Sequence, residues 1–519
     1  MGNSTTAADV LIIGCGHAGL EAANAASKLG VKTAVITARE SDVGKLACNP
    51  SIGGISKSHL ICELSCLGGI IGKIADQTAI VAQTLNASKG KAVQSLRLQI
   101  DSSLYKLASA KALAEAGVLL SYHSVENIAC SSEGFTVTLD SFAKIKAKTI
   151  ILAVGTSVRS ICHIGECALP LNRLDSKTTD AVYKFLKARG VSINRFKTGT
   201  SPRLAKQSIS WSTSYANQFN RHEYGFCKRL NHSILTMEVV ATLVQTTVCN
   251  LIKLNSNKSS LHRGRLLARG PKHCMSIEDR VLKFDHKPQK LVIEPEGASA
   301  DSAYVNGMST SVPLEVQLLA LKLIASFKDA KVLKPGYAVE YDVISSKEVK
   351  TTLELAAVPN AFTAGQINGT TGYEEAGVQG YIAGVNAAQK VRAKREYVFD
   401  KHFSYVGVLV NDIATTRISE PYRMLTARSR NRTQLRQRNT VFRLIPYSLS
   451  VNVLPRFKEA KQVRWISTSK AFSKKLCISS ETSLSNLGVG VQILKLKTAG
   501  SKAWNKVAGA EVGKRGYSK

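Results

Sequence analysis

Residues 9–19 read Asp9-Val-Leu-Ile-Ile-Gly-Cys-Gly-His-Ala-Gly19, and they are the strongest indication of how the chain folds. A short apolar run predicts a buried strand, and glycines follow it directly at positions 14, 16 and 19. The first glycine permits a tight turn, the second lets a phosphate approach the backbone, and the third lets the next helix pack closely on the strand. Because that helix begins with unpaired N–H groups, the stretch predicts a site for a dinucleotide pyrophosphate.

The pattern continues as a strand–helix–strand unit. We predict a strand over 10–13, a helix over 16–28 and a second strand over 31–37. In many such units a carboxylate about 20 residues after the glycines binds a ribose hydroxyl. The first acidic residues here are Glu40 and Asp42, and Glu40 is the candidate. These features predict an α/β fold with a Rossmann-type domain.

Later segments add to this domain and interrupt it. Another strand signal, residues 149–156, ends on Gly155-Thr156 and suits a parallel strand beside the cofactor, and a helix is predicted over 176–189. Residues 205–265 are rich in Ser, Asn and Gln, which predicts an irregular insertion or a small independent domain. A helix follows over 313–327, and the glycine-rich segment 365–380 enters another helix, giving a second place for a phosphate or the edge of a flavin ring.

The charge balance indicates a polyanionic partner. The 519 residues include 70 Lys and Arg against 37 Asp and Glu, a formal net charge of +33, and residues 401–519 alone carry 23 basic and 5 acidic side chains. A partner such as nucleic acid explains this excess. Compositional drift toward lysine and arginine is the alternative explanation.

Cysteine usage and hydropathy predict a cytoplasmic protein. The eleven cysteines form no paired framework, so we expect reduced thiols, and their spacing completes no zinc site, so no metal is expected. No apolar run reaches the ~18 residues of a membrane span. The N-terminal residues show no secretory signal pattern.

Eight blocks, taken in order along the chain, resemble the MnmG (GidA) family of FAD-dependent tRNA-modifying enzymes. They are residues 14–19, 48–54, 85–90, 197–203, 269–279, 335–342, 365–375 and 420–424. The resemblance implies a Rossmann-type FAD-binding domain with an inserted second α/β domain and a reduced, basic C-terminal region. The implied divisions are 1–204 and 286–395 for FAD, 205–285 for a nicotinamide-related insertion, and 396–519 for tRNA and partner binding.

The resemblance also implies an activity. Family members install an aminomethyl-type group on C5 of the tRNA wobble uridine, with methylenetetrahydrofolate as one-carbon donor, NADH as reductant and FAD as the carrier of electrons. They work with the GTPase MnmE and are expected to form homodimers. The reduced C-terminal region makes MnmE the least secure of the implied partners.

Site residues follow from the same resemblance. Cys48 and Cys274 match the catalytic cysteines, which suits the chemistry because a thiolate can add at uracil C6 or relay a proton. The implied FAD contacts are Gly14, Cys15, Gly16, His17, Ala18, Gly19, Val125 and Gln366. The implied nicotinamide contacts, equally compatible with a position beside FAD, are Gly270, Pro271, Lys272, His273, Ser276, Ile277, Glu278, Asp279, Arg280 and Phe284.

Several of these residues have simpler interpretations. Cys15 is also a small residue that fits a tight turn, His17 is also explained by packing, and Glu278 and Asp279 by helix capping or an ion pair with Arg280. Basic residues are the candidates for tRNA phosphates because guanidinium groups pair well with phosphate oxygens. They are Lys197 and Arg203, for which cofactor phosphate or a solvated loop is the alternative, with Arg423, Arg428, Arg430, Arg432 and Arg436.

Three other functions remain open from the sequence. One is a folate- and FAD-dependent tRNA uridine C5 methyltransferase, and block 269–279 and the chain length favour wobble-uridine modification over it. The second is a flavin oxidoreductase acting on a small molecule, which would show no salt-sensitive tRNA binding. The third is a non-catalytic RNA-binding protein, which would carry no flavin.

Overall fold

The structure of this chain is a computed structural model. It describes residues 6–90, 93–170, 176–216, 224–228, 230, 239–260, 268, 270–271, 275–284 and 288–451. The described residues divide into two units, one comprising residues 6–65 and 69–438 and the other residues 66–68 and 439–451.

The described helices and strands are as follows, in chain order. The strands are β1 Thr6–Ile13, β2 Thr33–Thr37, β3 Ser51–Gly53, β4 Ala79–Leu85, β5 Ser95–Ile100, β6 Leu119–Tyr122, β7 Val125–Ser131, β8 Gly134–Leu139, β9 Lys144–Leu152, β10 Ile161–Ile164, β11 Cys167–Pro170, β12 Ile193–Thr200, β13 Arg203–Ala205, β14 Tyr215–Ala216, β15 Val240–Val244, β16 Gln289–Pro295, β17 Ser302–Asn306, β18 Val332–Lys334, β19 Tyr337–Ile344 and β20 Ala361–Thr363. The helices are α1 His17–Lys28, α2 Lys57–Cys66, α3 Ile71–Thr78, α4 Ser102–Glu115, α5 Ser176–Ala188, α6 Thr246–Leu254, α7 Ile277–Lys283, α8 Leu314–Lys322, α9 Tyr373–Val391, α10 Tyr405–Thr415 and α11 Thr440–Val451.

The first sheet contains the predicted strand–helix–strand unit. Its order is β6-β2-β1-β9-β8-β7, with β20 also paired to β9. The pairs β1–β2, β1–β9, β2–β6 and β9–β20 are parallel, so the carboxyl ends of β1, β9 and β20 lie at one edge. The prediction of a Rossmann-type α/β fold is therefore confirmed.

Helices α1 and α9 pack on this sheet and lie unusually close to each other. A Cβ atom added at Gly380 or Gly384 of α9 would collide with the backbone of Ala18 or Ala22 of α1. Small residues at these positions thus let the two helices approach, and their N-termini come to the same edge of the sheet as the carboxyl ends of the strands.

A second sheet, of six strands, has the order β14-β15-β16-β17-β13-β18. Helices α6, α7 and α8 supply residues of the buried core that includes strand residues such as Leu291 and Val305. The sequence placed residues from 286 onward in the FAD-binding part, whereas in the structure β16 pairs with β15, and β17 and β18 pair with β13, so these three strands belong to the second sheet. Of the two alternatives for residues 205–265, an irregular insertion or a small domain, the ordered segments β15 and α6 favour the second.

Two smaller antiparallel sheets complete the first unit. Their orders are β11-β10-β19-β12 and β3-β5-β4. In the second unit, helix α11 begins at Thr440, whose carbonyl accepts a hydrogen bond from the Cys66 thiol at 3.9 Å. In the described ranges no single helix is long and apolar enough to cross a membrane, although the bent pair α2–α3, at 111°, meets the criteria of length and composition jointly.

Candidate cofactor and thiol site

A cleft of about 220 Å³ lies where β1, β9 and β20 end. Its walls come from the glycine turn of residues 14–18, the segment 45–49, the segment 153–157 after β9, residues 198–200 of β12, and the segments 364–366 and 371–373. Ligands of open α/β sheets bind at this edge. The cleft therefore brings together Cys48 and most of the residues that the sequence assigned to FAD.

The glycine turn has the geometry of a phosphate site. Gly14 has φ +100°, and a Cβ there would collide with the carbonyl of Ala153. Gly16 caps α1 without a side-chain hydrogen bond, and the first turn of α1 contains no acidic residue. A Cβ at Gly16 would have no protein atom within 4 Å, so the space in front of the helix N-terminus is open to an anion.

His17 and Cys15 are both buried beside this turn. The His17 ring stacks on Tyr373 with centroids 4.4 Å apart, and burial lowers the pKa of His17 to about 4, so the imidazole is neutral near neutral pH. Its Nε2 atom is buried without a hydrogen-bond partner among the described residues. Burial raises the pKa of Cys15 to about 12, which agrees with a thiol that fills a tight turn.

Asp42, and not Glu40, faces the cleft. Residues Glu40–Asp42 form a single 3₁₀ turn, in which the Glu40 side chain is 64% exposed and lies 3.6 Å from Lys106. Asp42 lines the cleft, its Oδ1 binds Lys45 at 2.8 Å, and its Oδ2 is buried without a partner in the described residues. Asp42 is thus the better placed carboxylate for a ribose hydroxyl, and Glu40 is not among the residues that line the cleft.

Cys48 lines the same cleft and is half-buried. Its N–H donates to Tyr373 Oη at 2.6 Å, and that hydroxyl donates to the Asn49 carbonyl at 3.1 Å. The Cys48 Sγ atom lies 4.0 Å from Tyr304 Oη.

Arg203 is buried and is not placed to contact tRNA. Its guanidinium donates to the carbonyls of Cys48 at 2.7 Å and Ala47 at 3.3 Å, and to the Glu296 carboxylate at 3.3 Å. The remaining donors reach Thr200 Oγ1 and the Ser201 carbonyl. Because these contacts occupy the whole guanidinium and the residue is 8% exposed, its assignment to nucleic acid was wrong.

A buried ion cluster that was not predicted from the sequence joins Lys57, which lines the cleft, to two glutamates in the first turn of α9. Lys57 Nζ lies 2.7 Å from Glu374 Oε2 and 3.7 Å from Glu375 Oε2, and both glutamates are buried. Burial favours a high pKa for Glu374, but Lys57 outweighs it and holds the pKa below its usual value. Burial and the neighbouring Glu374 raise the pKa of Glu375.

This cluster changes the interpretation of the second glycine-rich segment. The first turn of α9 contains Glu374 and Glu375, so its N-terminus already has acidic partners, which disfavours a phosphate there. Gln366, in the same segment, lines the cleft and donates from Nε2 to Tyr341 Oη at 3.2 Å. The alternative, contact with a flavin ring edge, remains a prediction for this segment.

Val125 lies away from the cleft lining. It is fully buried at the start of β7, and its N–H donates to Thr178 Oγ1 at 2.8 Å. The described geometry therefore gives it a packing role and does not place it among the residues that line the cleft.

The segment assigned to a nicotinamide nucleotide is described in part. Lys272, His273 and Cys274 lie outside the described residues. Ser276 caps α7 by accepting from the Asp279 N–H at 3.1 Å. Its described residues do not line the cleft; Gly270 and Pro271 precede α7, Ile277 is buried within it, and Phe284 follows it, 42% exposed.

One charged side chain of α7 is buried. Glu278 is fully buried, accepts from the Ser311 N–H at 2.8 Å, and has a pKa raised by burial. Arg280 donates to the Gly307 carbonyl.

Burial lowers the pKa of Lys197, a residue of β12, while Asp279 and Glu340 oppose that effect. Lys197 is therefore a largely buried side chain near carboxylates, which does not suit the predicted contact with tRNA.

Of the arginines after Glu420 that were predicted to contact tRNA, Arg423 lines the cleft and the others are exposed. Arg423 lines the cleft, and its Nε donates to Thr371 Oγ1 at 3.3 Å. Arg428 lies over the Tyr422 ring at 4.0 Å. The exposed arginines among the predicted tRNA contacts are Arg428, Arg430, Arg432 and Arg436.

No group of His, Cys, Asp and Glu side chains suited to a metal ion occurs within the part of the chain that the structure describes.

Comparison with known proteins identifies the family. The family model of glucose inhibited division protein A matches residues 9–395. The tRNA uridine 5-carboxymethylaminomethyl modification enzyme MnmG of Chlamydia abortus is 36% identical over 480 residues, 90% of this chain and 78% of that protein. The enzyme of the same name from Granulibacter bethesdensis is 39% identical over 446 residues, 84% of this chain and 70% of that protein.

A solved structure agrees with the sequence relatives. Aquifex aeolicus GidA superimposes with a TM-score of 0.81 at 33% identity, covering 90% of this chain and 77% of that one. The match over residues 9–395, the identities to MnmG enzymes and this superposition agree. The chain therefore belongs to the glucose inhibited division protein A (GidA, MnmG) family.

Proposed function

We propose that this chain is an FAD-dependent enzyme that modifies C5 of the wobble uridine of tRNA, adding a carboxymethylaminomethyl or aminomethyl group. The observation that carries the proposal is one cleft that contains both an open helix N-terminus at Gly16 and the side chain of Cys48. The names of the relatives supply the substrate, because they describe enzymes that modify tRNA uridine.

The residues of the cleft fit FAD. The backbone around Gly16 would hold the pyrophosphate, the Asp42 carboxylate has an unpartnered oxygen for a ribose hydroxyl, and Gln366 would contact the ring. His17, neutral and with Nε2 lacking a described partner, can donate a hydrogen bond or accept one, depending on its tautomer. FAD would supply hydride and electron transfer to the carbon that becomes attached to uridine.

Cys48 would act on the base itself. Uracil C5 is a poor nucleophile until a group adds at C6 or stabilises the enolate, and a thiolate can do this or relay a proton. Tyr373 fixes the backbone at this position through its hydroxyl, which is bonded to Cys48 N–H and the Asn49 carbonyl. The matching role of Cys274 concerns a residue outside the described part of the chain.

Electrons and carbon would come from NADH and methylenetetrahydrofolate. We assign the nicotinamide nucleotide to the α7 segment on the resemblance of residues 270–284. The described part of that segment does not line the cleft, so NADH would act from beside it or after a rearrangement. The GTPase MnmE as partner and a homodimer belong to the same proposal and rest on the family resemblance.

The exposed arginines Arg428, Arg430, Arg432 and Arg436 would bind tRNA phosphates. Contacts of this kind carry no sequence information, so binding should weaken as salt rises. Arg423, which lines the cleft, would contact a phosphate or the base at the site of reaction.

Nucleoside mass spectrometry of tRNA tests the proposal. Cells that lack this gene should lose the C5-modified wobble uridine, the wild-type gene should restore it, and the Cys48→Ser variant should fail to restore it. Loss of 5-methyluridine alone would replace the proposal with a tRNA methyltransferase. An unchanged nucleoside profile would favour a flavin oxidoreductase with a small substrate.

A further inference from the structure

We propose that Arg203 and Tyr304, two side chains of the second sheet, are positioning residues that hold the Cys48 thiol in its reactive orientation. The inference deepens the proposed function and rests on it, because it concerns the thiol to which that function assigns the chemistry on uridine. It gives Arg203 a role in place of the tRNA contact expected from its charge.

Arg203 holds the backbone of the cysteine from the second sheet. It lies in β13, and its Nη2 atom donates to the Cys48 carbonyl at 2.7 Å and to the Ala47 carbonyl at 3.3 Å. Glu296 accepts from Nε at 3.3 Å, which gives the charged guanidinium an ionic partner and fixes its plane. A planar group with several simultaneous acceptors has little freedom to move, so the two carbonyls are held with it.

Tyr304 reaches the sulfur atom itself. It lies in β17, next to β13 in the sheet, with Cα positions of Tyr304 and Arg203 paired directly. Its hydroxyl is 4.0 Å from Cys48 Sγ and accepts from the Ser201 N–H at 3.4 Å. The Arg203 guanidinium lies 5.0 Å from the centre of the Tyr304 ring, so the two side chains also position each other.

The arrangement favours the thiolate. With its hydroxyl hydrogen directed at Sγ, Tyr304 would donate to a negatively charged sulfur, and a hydrogen bond to a charged group is stronger than one to a neutral group. The positive charge of Arg203 acts in the same direction, because Arg203 and Cys48 attract each other electrostatically when the thiol is ionised. No proton leaves Tyr304 in this interaction.

The test is the pH dependence of Cys48 alkylation in the full-length protein. Iodoacetamide is applied over a pH series, and mass spectrometry of the Cys48 peptide gives the pH of half-maximal reaction. Tyr304→Phe removes only the hydroxyl and should raise this pH by about 0.5 unit or more, equivalent to at least ~0.7 kcal/mol. Arg203→Met should raise it further, and Arg203→Lys, which keeps the charge, should recover part of the shift.

Two controls separate positioning from loss of structure. Tyr405→Phe removes another buried hydroxyl, bonded to the Thr426 carbonyl at 3.3 Å, and should leave the Cys48 profile unchanged. The exposed Cys167 in each variant reports general changes in alkylation. If Arg203→Met does not fold, Tyr304→Phe and Arg203→Lys still give the result.

The inference is overturned if Tyr304→Phe and Arg203→Lys both give the profile of Tyr405→Phe. It is also overturned if Arg203→Lys alters the salt dependence of tRNA binding as strongly as Arg432→Gln while Cys48 reacts normally. Alkylation requires no tRNA, so a shifted Cys48 profile in a protein that leaves tRNA unmodified would retain the positioning role and reject the proposed function.

Discussion

Replacing Lys57 by methionine should leave two buried glutamates without their cation. Lys57 Nζ lies 2.7 Å from Glu374 and 3.7 Å from Glu375, and the glutamate side chains are 1% and 0% exposed. Removing one partner of a buried ion pair costs ~3–5 kcal/mol. Because 22% of the Lys57 side chain is exposed, we expect the lower end, about 3 kcal/mol lost from the free energy of unfolding near pH 8.

The sign of the pH dependence follows from the directions of the pKa shifts. In the wild type, Lys57 holds the pKa of Glu374 below its usual value, so this carboxylate stabilises the fold above its unfolded pKa and loses that effect as the pH falls through its folded pKa. In Lys57→Met, burial acts without the lysine and the carboxyl pKa values rise. Protonation then relieves the buried charge, so the deficit should shrink between about pH 8 and about pH 5.

Urea denaturation of both proteins across this pH range measures the deficit. Lys148→Met is the matched control, since Lys148 lies 2.8 Å from Asp9 but its side chain is 64% exposed, and this variant should lose less than about 1 kcal/mol. A Lys57→Met protein as stable as Lys148→Met, or a deficit that grows as the pH falls, would refute the reasoning.

Three further substitutions test the site. Gly16→Val should fold normally, because a Cβ at this position meets no protein atom within 4 Å, but it should lose bound flavin, because the side chain would enter the space assigned to the pyrophosphate. Circular dichroism measures the folding and absorbance measures the bound flavin. Full retention of flavin would contradict the prediction. Cys48→Ser should retain flavin and abolish tRNA modification, as measured by nucleoside mass spectrometry, and residual activity near that of the wild type would remove Cys48 from the chemistry. Arg432→Gln should weaken tRNA binding and reduce the slope of log affinity against log salt concentration by about one. A filter-binding assay measures this slope, and the control variant Lys148→Met should show the slope of the wild type. An unaltered slope in Arg432→Gln would exclude a phosphate contact.

The features that could be predicted are those encoded locally. The strand before Gly14, the turn and helix α1 follow from an apolar run and three glycines within eleven residues. The strand that includes 149–152 was predicted for the same reason, since its apolar run ends where the chain turns at the cleft. The resemblance of eight blocks then predicted a family that the comparisons confirm.

The features that could not be predicted depend on pairing between distant segments. Strand β13 pairs with β17 and β18, about a hundred residues later, so no local pattern placed residues 289–334 in the second sheet. Charge gave no information on burial, which is why Arg203 was assigned to tRNA although its donors reach the carbonyls of Ala47 and Cys48. The choice between Glu40 and Asp42 depended on the direction of a single 3₁₀ turn.

Titration of the purified chain with FAD tests the central claim most directly, with Gly16→Val as the comparison. The account predicts that the wild-type protein binds FAD in equimolar amount and turns yellow, while the folded Gly16→Val protein does not. A wild-type protein that stays colourless in excess FAD, or a variant that binds FAD equally well, would contradict it.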